Sequence, residues 1–265
     1  MTKTDLPSWT GVERMPKICL DAGHFANYNY NDNVTPRYWE SRMAWKLHLL
    51  LKAELEKYGF SVIVTRDDEE KDLGLMARGQ KAKGCDLFLS LHSNACNTES
   101  VDRAVVIYPV SNAKMDLATQ LSQTVTDVMQ LHDKPQIYNM WNSAHNADYY
   151  GVIRGAASVG VAGLIIEHSF HTNNRAAAWL NVQANLKKLA EAEATCLAVY
   201  FGMDIQQHPF VDVPDGKFYS DAVKWAWSEG IVNGVDDTHF KPNANVTRGQ
   251  LVTMLKRYHD KYGGG

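Results

Sequence analysis

Short apolar runs recur along this chain at the length of buried strands, and stretches with helical periodicity lie between them. Ile18, Cys19 and Leu20, bounded by Pro16 and Gly23, form the first run, which leads into Asp21-Ala22-Gly23-His24. Residues 60–66 alternate into a strand. Residues 86–92 hold a second buried one, Leu87-Phe88-Leu89-Ser90-Leu91, which again ends on a histidine. Residues 103–108, stopped by Pro109, and residues 163–166 add two more, and the last of these delivers Glu167. A helix is expected from near residues 38–40, with Met43, Leu47, Leu50, Leu51 and Tyr58 on one face and Gly59 closing it. A short helix is expected near residues 73–83, and another over residues 115–131 with the stripe Leu117, Leu121, Val125, Val128 and Met129. A last long one is expected over residues 185–201. Residues 25–37 and 135–150, rich in Asn and aromatic side chains, read as loops, the second on the substrate side. Strands alternating with helices imply an α/β sandwich built on a mainly parallel sheet.

The pattern breaks at residues 203–209, where polar residues and a proline suggest a linker. Beyond it, a helix near residues 220–229 is ended by Gly230, and Thr247 with Gln250 forms a capping box for a second helix to about Tyr258. A helix pair of this size is marginal as an independent domain. The division expected is therefore a large unit over residues 16–203 and a small helical one over residues 209–262.

Composition narrows the function classes. A 265-residue chain with 45% hydrophobic and 22% charged residues is ordinary for a soluble globular protein. A net charge of -3 and the lack of a basic run give no support for nucleic-acid binding. No run approaches the ~20 apolar residues of a membrane span, and the opening residues have no apolar core of a secretory leader, so release by lysis is expected rather than export. Cys19, Cys85, Cys96 and Cys196 show no CxxC spacing and are expected as buried thiols, with a disulfide from Cys85 to Cys96 left open.

His24, His92 and Glu167 stand at the ends of predicted strands, and Glu40 opens the first helix. In an α/β sheet the carboxyl ends of strands face the ligand crevice. Two imidazoles and a carboxylate make the three-ligand set of a catalytic zinc site, and a second carboxylate off the metal can move a proton from water to a leaving amine. Asp32 is the other carboxylate between the first histidine and Glu40, placed in the loop. His48, His132, His145 and His168 are expected in satisfied surface or supporting roles, with alternation turning His168 away from Glu167. His171 is the one additional histidine within reach of a scissile amide.

The wording around these residues is more specific than their spacing. Asp21-Ala22-Gly23-His24, Glu40, Thr65-Arg66-Asp67, Leu75 with Arg78, Ser90-Leu91-His92-Ser93-Asn94-Ala95, and Ile166-Glu167 with Ser169-Phe170 and Asn173 resemble the zinc-dependent N-acetylmuramoyl-L-alanine amidases of the amidase-3 family. The resemblance implies a six-stranded, mixed but mainly parallel sheet with helices on both faces. It implies Zn2+ on His24, Glu40 and His92, Glu167 as the catalytic glutamate, and cleavage of the amide between the lactyl group of N-acetylmuramic acid and L-alanine in peptidoglycan. The chain departs from the family's frequent Gly-Gly after the first histidine, having Phe25-Ala26 and a long loop there.

The tail resembles an S-layer homology motif through Phe210-Val211-Asp212-Val213, Tyr219, Gly230-Ile231-Val232, Gly234, Phe240-Lys241-Pro242 and Val246-Thr247-Arg248. That resemblance implies binding of a secondary cell-wall polymer, with Arg248 at the pocket. The joint expectation is a peptidoglycan hydrolase acting at the bacterial cell wall: a phage or prophage endolysin, with a host autolysin or a non-catalytic wall-binding protein as alternatives. The exposed apolar residues expected on a lone helix pair also invite homo-oligomerisation through the tail.

Overall fold

A computed structural model describes residues 15–203, 210–214 and 217–263, so all of the expected linker over residues 203–209 except Met203 lies outside the described residues. The chain divides into two compact units at Met203.

In the first unit β1 (Lys17–Ala22) is followed by a two-stranded ribbon of β2 (Tyr30–Asn31) and β3 (Tyr38–Trp39), then α1 (Glu40–Lys57) and β4 (Ser61–Val64). Next come α2 (Leu75–Gln80), β5 (Leu87–Asn94), β6 (Val105–Ile107), α3 (Met115–Met129), β7 (Gln136–Tyr138) and α4 (Gly151–Ala157). β8 (Gly163–Phe170), α5 (Asn174–Leu180) and α6 (Gln183–Tyr200) complete it. The six-stranded sheet has the order β4-β1-β5-β8-β6-β7. All its neighbours run parallel except β6 and β8, so the sheet is mixed and mainly parallel, as expected.

The continuous apolar runs mark strands covered on both faces. One face is packed by α1, α3 and α6 through Leu47, Leu51, Leu121, Val125, Leu189 and Leu197. The other is packed by α2 and α4 through Phe88, Val105, Ile107, Ile153 and Ile165. The α2–α4 contact is close enough to require glycine on each helix: a Cβ on Gly79 would stand 2.1 Å from the Val152 carbonyl oxygen, and one on Gly155 would stand 2.3 Å from that of Met76.

Several elements differ from the sequence-based expectation. The sixth strand, β7, lies inside the segment expected to be irregular, and α4, α5 and the β2–β3 ribbon have no counterpart there. His92 and Glu167 do not end their strands: β5 runs on to Asn94 and β8 to Phe170, because the two stay hydrogen-bonded with a register shift past His92. Of the surface or supporting roles expected for His48, the surface one is removed: the residue is buried at 1% exposure, since the apolar face of α1 is wide enough to include it. The four cysteines carry no disulfide, but only Cys19 and Cys85 are buried; Cys96 and Cys196 are half-buried.

The second unit holds α7 (Ser220–Ser228) and α8 (Arg248–Tyr262). The Thr247/Gln250 capping box is present, and Gly230 adopts a left-handed conformation after α7. Phe210, Val213 and Val223 form a small core, while Leu251, Val252 and Leu255 of α8 stay exposed.

Candidate active site

Three elements bring His24, Glu40 and His92 together, with their ligand-type atoms all within 4.8 Å of one another. His24 follows the carboxyl end of β1 in a left-handed conformation (φ 59°). It is held there by a hydrogen bond from Arg78 Nη2 to its carbonyl (2.8 Å) and by stacking on Tyr28 (4.5 Å between ring centroids). Glu40 is the first residue of α1, where a helix N-terminus favours a carboxylate. Its Oε1 accepts from the Ser93 amide (3.1 Å) and its Oε2 from Asn29 Nδ2 (2.6 Å). His92 lies on β5 beside β1, and Gly23 leaves room for its ring: a Cβ there would stand 2.3 Å from His92 Cε1.

The hydrogen-bond network fixes what each imidazole presents. Asp21 is a fully buried carboxylate that accepts from Thr65 Oγ1 (2.6 Å), Ser90 Oγ (2.7 Å) and Arg78 Nη1 (3.2 Å). Ser90 spends its proton on Asp21, so it accepts from His92 Nε2 at 3.1 Å. Nδ1 of the neutral His92 ring therefore carries a lone pair, and it lies 2.9 Å from Glu40 Oε1. His24 Nε2 is 3.3 Å from the same oxygen and also 3.3 Å from Asn29 Nδ2, a donor. Two nitrogen lone pairs thus converge on a carboxylate oxygen, an arrangement that only a shared proton or a cation relieves. The 3.3 Å distance matches, and the 2.9 Å one falls a little short of, the ~3.3 Å separating donors on a tetrahedron with metal bonds of ~2.05 Å, and an N, N, O set suits zinc. The residues fit a zinc ion. Burial opposes charge on Glu40; where the shared proton sits on His24 or His92 instead, the resulting hydrogen bond and positive charge outweigh it and hold the carboxyl well below the usual range.

Glu167 lies on β8 as the register partner of His92, outside the three-residue cluster. Its Oε2 is buried with no hydrogen-bond partner. Burial, with the negative charge of Glu40 adding to it, pushes its pKa up to about 8. Asp32, the other carboxylate weighed from sequence, is instead paired with Arg37. His171 donates from Nδ1 to the Ser93 carbonyl (3.0 Å) and lies 3.9 Å from Glu40 Oε2. His168 points into the opposite layer, as alternation predicts, and meets Glu193. His132 and His145 are exposed.

A pocket of about 190 Å3 opens beside the two histidines, lined by Phe25, Tyr28, Leu75 and Val152 as well as His24 and His92. Sequence reasoning assigned no role to Asn29, Ser90 or Asp21. The Asp21 and Ser90 signal was present only as two buried polar residues inside apolar strands. In the second unit a pocket of about 390 Å3 is lined by Phe210, Trp227, Asn233, Gly234, Asp236 and Asp237; Arg248 is not part of its lining.

Residues 18–198 match the family model described as N-acetylmuramoyl-L-alanine amidase, and residues 209–252 match the S-layer homology domain. A cell surface protein of Thermoanaerobacter kivui is 37% identical over 76 residues, which are 28% of this chain and 10% of that protein. Cwp6 from Clostridium difficile superposes with a TM-score of 0.63 at 19% identity, over 70% of this chain and 29% of Cwp6. The catalytic domain of CwlV, an N-acetylmuramoyl-L-alanine amidase from Bacillus (Paenibacillus) polymyxa var. colistinus, gives 0.60 at 19% identity, over 72% of this chain and 100% of that domain. An N-acetylmuramoyl-L-alanine amidase from Clostridium difficile 630 also gives 0.60 at 19% identity, over 71% and 97% of the two chains. At these identities the structural matches establish the α/β fold alone. The chain spans only a small part of the cell surface protein and under a third of Cwp6.

Proposed function

The chain belongs to the amidase-3 family of N-acetylmuramoyl-L-alanine amidases, and from that membership we propose that it hydrolyses the amide between the lactyl group of N-acetylmuramic acid and L-alanine of the peptidoglycan stem. Residues 16–203 are the catalytic domain in this reading and residues 209–262 a wall-binding unit. The observation that carries it is the buried, unpartnered carboxylate oxygen of Glu167 beside the converged His24, Glu40 and His92.

His24, Glu40 and His92 hold zinc, which when bound supplies Lewis acidity toward the scissile carbonyl and toward water. Glu167 takes the proton of the attacking water and returns it to the leaving L-alanine nitrogen. Burial raises its proton affinity, which suits a group that must both accept and release a proton near neutrality. The relay from His92 through Ser90 to Asp21 fixes the ring tautomer and keeps Nδ1 free to ligate. Phe25, Leu75 and Val152 give the pocket beside the histidines an apolar side.

The S-layer homology match supports attachment to a wall polymer, and with it a place at the cell surface. Lysis enzyme and wall-remodelling autolysin share this cleavage; the timing of release from the producing cell separates them.

Mass spectrometry of digested walls tests the reading. Intact stem peptides with a new L-alanine amino terminus are expected, and chelation should abolish their release until zinc is restored. Glu167→Gln should keep the metal and lose ~10²–10⁴-fold in turnover. Glycan or cross-bridge cleavage without new L-alanine termini would overturn the activity, and loss of metal from Glu167→Gln would overturn the assignment of roles.

A further inference from the structure

His171, the histidine expected from sequence within reach of a scissile amide, is buried and is not part of the lining of the pocket beside His24 and His92. Its place follows from a break in the sheet. β5 and β8 pair His92 with Glu167 and next Asn94 with Phe170, two steps along one strand against three along the other. The extra residue is a bulge, with Ser169 left-handed inside it (φ 62°). On a regular strand Glu167 and His171, four residues apart, would share a face. The bulge instead brings His171 against Tyr38, which belongs to the core under α1, α3 and α6.

There His171 touches three parts of the support around Glu40. Its Nδ1–H donates to the Ser93 carbonyl (3.0 Å), and the same nitrogen lies 3.1 Å from Ser93 Oγ. Its ring stacks on Tyr38 with 5.9 Å between centroids. Its carbonyl accepts from Asn31 Nδ2 (2.7 Å), and Asn31 is the register partner of Tyr38 in the β2–β3 ribbon. Asn29 and Glu40 flank that ribbon, and their side chains bond at 2.6 Å. Ser93 closes the circuit: its amide donates to Glu40 Oε1 (3.1 Å), and its Oγ lies 2.7 Å from the Tyr38 hydroxyl. Tyr38, Glu40, Ser93 and His171 are all buried. A buried network of this kind holds its members in one geometry.

We propose that His171 is a positioning residue for Glu40: by holding Ser93 and the β2–β3 ribbon against the end of β8, it keeps Glu40 Oε1 aimed between His24 and His92. The inference rests on the zinc site proposed above. It explains how Glu40, which no strand of the main sheet carries, keeps its place beside two histidines that the sheet does position. His171 Nδ1 is 3.9 Å from Glu40 Oε2, beyond hydrogen-bond distance, so its effect runs through Ser93 and the ribbon rather than through a direct bond. No proton moves and no covalent bond changes in this role.

The test titrates zinc into the full chain and its variants against a competing chelator. His171→Leu loses the Nδ1 donor and should weaken zinc binding ~10–100-fold, the range seen when the support of a metal ligand is removed. An asparagine Nδ2 stands where the histidine Nδ1 stands, so His171→Asn should bind zinc within ~3-fold of the parent. A role in packing alone gives the reverse order, because leucine fills a buried space better than the smaller, polar asparagine. Tyr38→Phe keeps the stacked ring and loses the hydroxyl; it should weaken zinc ~3–10-fold, and it reads the network where His171→Leu does not fold. His145→Asn, at an exposed histidine, should match the parent. Zinc affinity within about twofold of the parent in every folded His171→Leu or Tyr38→Phe variant would overturn the proposal, and a fall in kcat alongside it would make His171 a substrate contact instead. Zinc binding by His171→Asn no tighter than by His171→Leu would overturn it as well. A parent chain whose zinc affinity is unchanged by His24→Ala would overturn the metal site itself.

Discussion

His168 Nε2 lies 2.7 Å from Glu193 Oε1, with both side chains fully buried. The other ring nitrogen, Nδ1, donates to the His92 carbonyl at 2.8 Å. A carbonyl and a carboxylate both accept, so the ring carries both protons and is an imidazolium. Burial alone would drive it neutral, but the charge and hydrogen bond of Glu193 outweigh that and raise its pKa. Strand alternation puts this ion pair on the face of β8 opposite Glu167, where it ties the strand to α6 and to the main chain at His92.

Breaking a buried pair from one side strands the other charge, at a cost of ~3–5 kcal/mol. Glu193→Leu should therefore destabilise the first unit by about that amount, and adding His168→Leu should restore a good part of it. Because the folded-state pKa of His168 is raised, the pair's contribution is complete below the ordinary histidine value of about 6.5. It declines as pH rises through the raised value. Urea unfolding of the parent, the single and the double variant checks this; equal stability of single and double variants would contradict a coupled pair.

Gly23 is a packing requirement for the proposed metal site. A methyl group there would stand within 2.6 Å of three atoms of the His92 ring, which has no flexible end to move aside. Gly23→Ala should turn the ring away from Glu40 and weaken zinc binding ~10–100-fold, the range seen when the surroundings of a ligand are disturbed. Gly74→Ala is the control, since a Cβ there meets nothing within 4 Å. Zinc titration with a competing chelator gives the readout, and equal affinity in the two variants would contradict the role of Gly23.

The strands were legible because both faces are covered: Ile18–Leu20 and Leu87–Leu91 are almost unbroken apolar runs. His24, Glu40 and His92 were legible because they stand where such runs and the first helical stripe meet the sheet edge. α4 was not, because Gly151 and Gly155 serve close contact with Leu75 and Met76 rather than an apolar stripe, so its periodicity is faint. β7 is three residues long, and two of its three side chains are only half-buried, which leaves no alternation to detect. The supporting residues around the histidines were hidden for a different reason. Asn29 reaches Glu40 from a loop eleven positions away, and Ser90 joins Asp21 across two strands; such contacts depend on register, which one sequence does not reveal.

His48 carries a pH dependence of opposite sign to that of His168. It is buried on α1, its ring 4.5 Å from that of Trp45, and its Nδ1 has no hydrogen-bond partner. Burial is the main cause that brings its pKa down from 6.5 to about 4; the main-chain carbonyls of Trp45 and Ala44 and the Asp21 charge oppose the shift, and the Arg66 charge adds to it. The native chain thus keeps the ring neutral where the unfolded chain begins to protonate it. Stability from this source is complete above pH ~6.5 and falls as pH drops toward ~4, because the unfolded state binds the extra proton. A shift of this size corresponds to about 3 kcal/mol across the window. His48→Gln cannot titrate. Whatever its stability at neutral pH, its loss between pH 6.5 and pH 4.5 should be smaller than the parent's by about 2 kcal/mol. Denaturant unfolding at fixed temperature across that window measures the slope, and a variant that loses as much stability as the parent would rule out His48 as the source.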